Sequence, residues 1–131
     1  MTIEELVKQV LKGILVLVGE YRGSHAEMAG YVDKKTGQKM QYIRGIHLVE
    51  CFFYDRVDRV LLFEYFPETV GSVEEATATF AYERRRKYVF YLKWFKRERG
   101  QLTARLAGWD PEPLEIPEGA VGSPQGEPPP F

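Results

Sequence analysis

The chain has 131 residues, of which 44% are hydrophobic and 14% aromatic. That is enough for one domain with a sizeable core. The longest apolar run, residues 14–18, is the length of one short strand and far below a membrane span, so no membrane partner is expected. A single cysteine, Cys51, allows no internal disulfide, and the first residues lack a basic stretch followed by an apolar one; both point to a cytoplasmic protein.

The net charge of −1 conceals an asymmetry. All 18 Lys and Arg lie at or before Arg105, against 14 acids up to Trp109, so the body carries +4. The remainder holds five acids (Asp110, Glu112, Glu115, Glu118 and Glu127) and no base, hence −5. Such a body attracts polyanions, and such a tail competes with them.

In chain order, residues 3–11 place Ile3, Leu6, Val7, Val10 and Leu11 at helical spacing. Thr2 and Glu5 form a capping-box pattern before them. Gly13 ends that helix, and a strand over residues 14–22 follows. Residues 23–38 read as a polar connection with a turn at Lys34-Lys35-Thr36-Gly37. A long strand covers 39–54, where Gly45 suggests a bulge or bend. A third strand covers 59–66 and stops at Pro67. Ser72 and Glu75 cap a helix over 73–83. A final hairpin pairs 87–97 with 101–107 across Glu98-Arg99-Gly100.

Three strands, a helix and two strands is the element order of an OB-fold, a five-stranded barrel with a helix between strands three and four. The expected fold is therefore mainly β, an OB-fold-like barrel over residues 1–109 with a short extra N-terminal helix. Residues 110–131 hold seven of the eight prolines and no base. Composition marks them as a disordered acidic tail, in which Leu114 and Ile116 are the residues able to dock on the body.

The functional signal is densest between Arg84 and Arg105, with nine bases against the single acid Glu98. Five aromatic residues are interleaved with them. Strand alternation puts Tyr88, Phe90, Leu92 and Trp94 on one face, read as core. The other face carries Lys87, Val89, Tyr91, Lys93, Phe95 and Arg97, with Arg99 in the following turn. Bases neutralise phosphates, and exposed aromatic rings stack on unpaired nucleobases. A duplex offers no free base faces, so single-stranded DNA is the expected partner. Nothing in the residues reports on a 2′-hydroxyl, which leaves RNA open beside it. A weaker copy of the pattern runs through Lys34, Lys35, Lys39, Tyr42 and Arg44, and Arg22 joins it from the first strand. A second reading makes the aromatic-basic strand an oligomer or partner interface, since Tyr, Trp, Phe and Arg are also enriched there.

The segment Lys35-Thr36-Gly37-Gln38-Lys39, with the strands and helix after it, resembles the helix-destabilising single-strand DNA-binding proteins of filamentous phages and related plasmids. The likeness covers roughly residues 13–107 and lies in the layout of elements. In that family a basic residue, Gly and Lys precede a base-stacking aromatic. Lys35, Gly37 and Lys39 fit, and the aromatic position falls on Met40 or Tyr42. The resemblance implies an OB-fold, sequence-tolerant coating of single strands in replication, and a homo-oligomer, usually a dimer. The ending Pro130-Phe131 is similar to the partner-docking tip of bacterial single-strand binding proteins, although the acids here are dispersed Glu. That likeness implies a protein partner for Pro130 and Phe131.

No catalytic or phosphate-cradling motif is present, so neither an enzyme nor a cofactor is expected. His47, Cys51 and Asp55 share a strand face, but about 13 Å separates successive members, too far for one metal ion. Glu64 and Glu68 have no evident acid–base partner in the sequence. Ser24, His25 and Asp33 are read as chance neighbours.

Overall fold

The computed structural model describes residues 1–53, 56–110 and 112–115. Its elements are α1 (Ile3–Leu11), β1 (Val16–Val32), β2 (Lys39–Phe53), β3 (Arg56–Tyr65), α2 (Val73–Ala78), β4 (Lys87–Glu98) and β5 (Gln101–Trp109). The capping box forms as the sequence predicts. Thr2 Oγ1 accepts the Glu5 amide, and Glu5 accepts the Thr2 amide. Gly13, at φ +80°, lets the chain leave α1 in the left-handed conformation that glycine tolerates best.

β1, β2 and β3 form an antiparallel meander. β5 then runs parallel to β3, and β4 pairs antiparallel with both β5 and β1. The five strands thus close into a ring in the order β1-β2-β3-β5-β4, with α2 in the connection between β3 and β4. Closure removes the sheet edges along the paired stretches.

The ring's inner faces make the core, where Val49, Val60, Leu62, Phe90 and Ala104 are fully buried. Past the end of α2, Phe80 and Tyr82 complete it. Tyr82 lies against Tyr21, His47, Tyr88, Phe90 and Trp109. Burial raises the pKa of its phenol, whose oxygen finds no hydrogen-bond partner among the described residues. Gly19 of β1 lies against Val49 of β2. A Cβ there would collide with the Val49 side chain and lie 3.2 Å from the Glu50 carbonyl oxygen. Gly19→Ala is therefore expected to cost about 1–3 kcal/mol by overpacking, read as a lower urea midpoint at unchanged slope.

Three features depart from the sequence reading. β1 extends to Val32, so most of the stretch read as a polar connection is strand. It pairs with β2 out to Val32↔Lys39, forming a two-stranded arm. α2 ends at Ala78 rather than residue 83, because Phe80 and Tyr82 turn into the core. Gly45 is not a bulge: its register is regular toward both neighbours, and the irregularity lies in β1 between Tyr21 and Gly23. Gly45 instead makes room for Phe80, whose ring would sit 3.0 Å from an added Cβ.

The described residues of the tail are bound to the body. The Asp110 and Leu114 amides donate to the Val89 and Lys87 carbonyls, and Glu115 donates to Met1. The Met1 amino group donates to the Pro113 carbonyl in turn. Leu114 thus lies in the docked part, whereas Ile116, Pro130, Phe131 and Asp55 lie outside the described residues.

Candidate nucleic-acid interface

Strand alternation, corrected by two register shifts between β4 and β5, decides which side chains face out. In β4 the register slips around Leu92, so that Leu92 opposes Leu106 while Trp94 opposes Arg105. One residue, Lys93, is thereby accommodated without a partner, and the faces beyond it exchange. Trp94 moves from the expected core to the outer face. Phe95 opposes the buried Ala104 and Arg97 opposes Leu102, so both join the inner-face series beyond the ring's end, where Phe95 is 41% exposed. The aromatic-basic stripe expected over Tyr91, Lys93, Phe95 and Arg97 is accordingly split.

The outer face carries a different series. His25, Ile46, Phe63, Arg105 and Trp94 are successive cross-strand partners, one from each of β1, β2, β3, β5 and β4. Beside that row, Glu27, Arg44 and Tyr65 are successive partners. The rings of Tyr31, Tyr42 and Tyr65 follow one another from the β1–β2 arm onto the ring at centroid spacings of 5.9 and 5.5 Å. Cations sit over the rings at the far end. Arg105 lies 4.6 Å from the Tyr65 centroid, and Lys96 lies 4.8 Å from that of Trp94. Tyr31 and Tyr65 are exposed, and Tyr42, Phe63 and Trp94 half-buried. Between Tyr65, Arg105 and Lys93 lies an open concavity of about 210 Å³, with Glu64 at its margin.

The expected site residues are thus distributed. Tyr42 and Lys93 belong to this surface. Arg44 does too, but its guanidinium is held by Glu27 at 2.6–2.7 Å, so it orients the face and adds little net charge. Lys34, Lys35 and Lys39 are exposed at the tip of the arm beyond Tyr31, and Gly37 at φ +71° closes the turn there. Arg22 is apart from the surface, between Glu20 and Glu50 at 3.7 Å each. Tyr91 is half-buried at the other end of β4. Burial, then the carboxylates of Asp110 and Glu5, raise its pKa, and those same carboxylates would repel a phosphate. Arg99 takes the turn conformation at φ +51° and lies with Arg97 beyond the ring.

Phe63, Tyr65, Trp94, Lys96 and Arg105 on the outer face are missed by the sequence reading. The run RVLLFEYF is apolar on both faces, which conceals its outward side, and no residue type announces the β4 bulge. Among the described residues, Lys93 and Arg105 have no carboxylate within ion-pair distance. They are therefore available to an external anion.

Beneath the surface runs a polar chain that the sequence reading also lacks. The Tyr21 hydroxyl bonds Ser24 Oγ, Ser24 Oγ bonds His47 Nδ1, and His47 Nε2 lies 2.9 Å from Glu64 Oε1. Glu64 therefore has a partner in His47, and Ser24 is bonded to Tyr21 and His47 rather than to its sequence neighbours His25 and Asp33. His47 is fully buried and receives the edges of the Phe80 and Tyr82 rings. Both its ring nitrogens are engaged within the fold, which makes it a strut between β1, β2 and β3.

Among the described residues no helix is long and apolar enough to cross a membrane. Compared with known proteins, the chain matches no family model, no curated protein and no solved structure.

Proposed function

We infer that the ring is an OB-fold barrel that binds single-stranded nucleic acid, with single-stranded DNA as the preferred ligand, across the outer face of β2, β3, β5 and β4 and along the β1–β2 arm. One observation carries this reading: solvent-facing rings with cations beside them form a continuous series on the outside of a closed ring. Aromatics that served only the core would be inside it. Base stacking supplies roughly 1–3 kcal/mol per base and tolerates any sequence. Lys93, Arg105 and the arm-tip lysines Lys34, Lys35 and Lys39 supply phosphate contacts, and Lys96 adds one by exchanging Glu98, 3.6 Å away, for a phosphate. The strand order and the helix between β3 and β4 support the OB-fold reading, as does the likeness of the Lys35–Lys39 segment to the phage and plasmid proteins. The parts played by the acidic tail and the Pro130-Phe131 tip belong to the same proposal.

Salt tests the reading. If several of these six cations meet phosphates, log K for an oligo-dT should fall with log salt at a slope of roughly −2 to −4. Lys93→Gln with Arg105→Gln should make that slope about one unit shallower. A flat response would transfer the surface to a protein partner. The half-buried apolar side chains of Ile46, Leu48 and Leu61 on the same face favour that second reading.

A further inference from the structure

α1 has no buried residue, although its sequence is strongly amphipathic. Ile3, Val7, Val10 and Leu11 follow one another at helical spacing and are 37%, 48%, 50% and 81% exposed. Ile14 and Leu15, just beyond Gly13, extend the same apolar stretch at 39% and 46% exposure. The helix is anchored at its ends. Met1 is held by the segment around Pro113, and the Leu15 carbonyl accepts the Leu92 amide. The stripe between these anchors is left without a partner, and contiguous apolar surface of that kind marks a contact site.

The charges on α1 identify the occupant. Its first turn carries Glu4 and Glu5, and Lys8 and Lys12 follow toward its C-terminal end. Among the described residues, none of the four has an ion-pair partner within the chain. Glu4 and Lys8 flank the apolar stripe on one side, so an antiparallel copy of the same helix sets the acid of each copy toward the lysine of the other while the stripes meet. That is the self-complementarity a two-fold interface requires. A lipid surface fits less well, because these four charges sum to zero and the polar face lacks the Lys/Arg excess of interfacial helices.

We propose that two copies of this chain associate through antiparallel pairing of their α1 helices, with Val7, Val10 and Leu11 at the centre. The contact is smaller than the roughly 800 Å² per partner of standard interfaces. The dimer is accordingly reversible and concentration-dependent, and the assignment does not depend on nucleic-acid binding.

Sedimentation equilibrium of the full chain, without nucleic acid, tests this. The expected result is a rise with concentration from 15.2 kDa toward twice that mass. Val7→Asp with Leu11→Asp should hold the chain at the monomer mass with an unchanged circular dichroism spectrum. Lys8→Glu with Lys12→Glu, and separately Glu4→Lys, should each weaken the dimer, and mixing those two variants should restore it. A wild-type chain that stays monomeric throughout would overturn the proposal, whether its own tail or a lipid surface covers the stripe. So would a dimer that survives Val7→Asp with Leu11→Asp.

Discussion

Replacing Tyr65 and Trp94 together by alanine lowers the affinity for an oligo-dT by roughly 30-fold or more, while the circular dichroism spectrum stays that of the wild type. The estimate follows from two stacking rings at about 1–3 kcal/mol each. Both side chains are on the outer face, one exposed and one half-buried, so their truncation opens no cavity inside the ring. Each also positions a cation, Arg105 over Tyr65 and Lys96 over Trp94, so some phosphate contact is lost with the ring. Tyr91→Ala serves as the control. It lies among Asp110, Glu5 and Gly108, and its loss should leave affinity within about twofold, since the bulge and the acidic neighbours remove it from the stacking series. If Tyr91→Ala proved the more damaging change, the ligand would follow the first half of β4, and the assignment of faces would be wrong.

The second large effect is on stability. His47→Ala should destabilise the fold by about 2–4 kcal/mol in urea denaturation, through the cavity it leaves and the groups it strands. The cavity would be walled by the Phe80 and Tyr82 rings that pack edge-on against the imidazole. Ser24 Oγ would keep only Tyr21, and Glu64 would lose its inner partner. Glu64→Gln should cost much less, because that side chain is one-third exposed and water can replace part of the bond. The asymmetry between the two variants distinguishes a structural strut from an ion pair. Equal costs would mean that the charge on Glu64 does most of the holding.

How much of this molecule can be read from its sequence depends on which physical signal each part carries. α1 is legible to the residue because its capping box and helical spacing are local properties. The order of strands, and the place of α2 among them, follows from turn residues and apolar runs. The β1–β2 arm is missed because a two-stranded ribbon standing clear of the core needs no hydrophobic alternation. Its Gly30 and charged residues look like a connection, as do Gly23 and Ser24 where β1 is still in the ring. The Gly45 reading errs in a related way, since a glycine that admits an aromatic ring from α2's far end looks the same as one that bends a strand.

The candidate site is legible in composition and not in geometry. The density of aromatic and basic residues draws attention to β4, one of the strands that carry the candidate surface. One unpaired residue at Lys93 then exchanges the faces beyond it, so Trp94 belongs to the outside and Phe95 to the inner-face series. Cross-strand neighbours are separated by as many as 75 positions in sequence, as Val16 and Tyr91 are, and no local pattern reports such adjacency. Tyr42, Tyr65 and Arg105 become one surface only because the ring closes through β3 and β5.

The central claim, that this surface takes single strands, is tested most directly by fluorescence anisotropy. A labelled oligo-dT and a duplex of the same length are titrated with the full chain at low and at moderate salt. The account predicts saturable binding to the single strand that weakens as salt rises, with the duplex bound much more weakly at both salt concentrations. Equal affinity for the two forms, or no binding to the single strand at low salt, would contradict it.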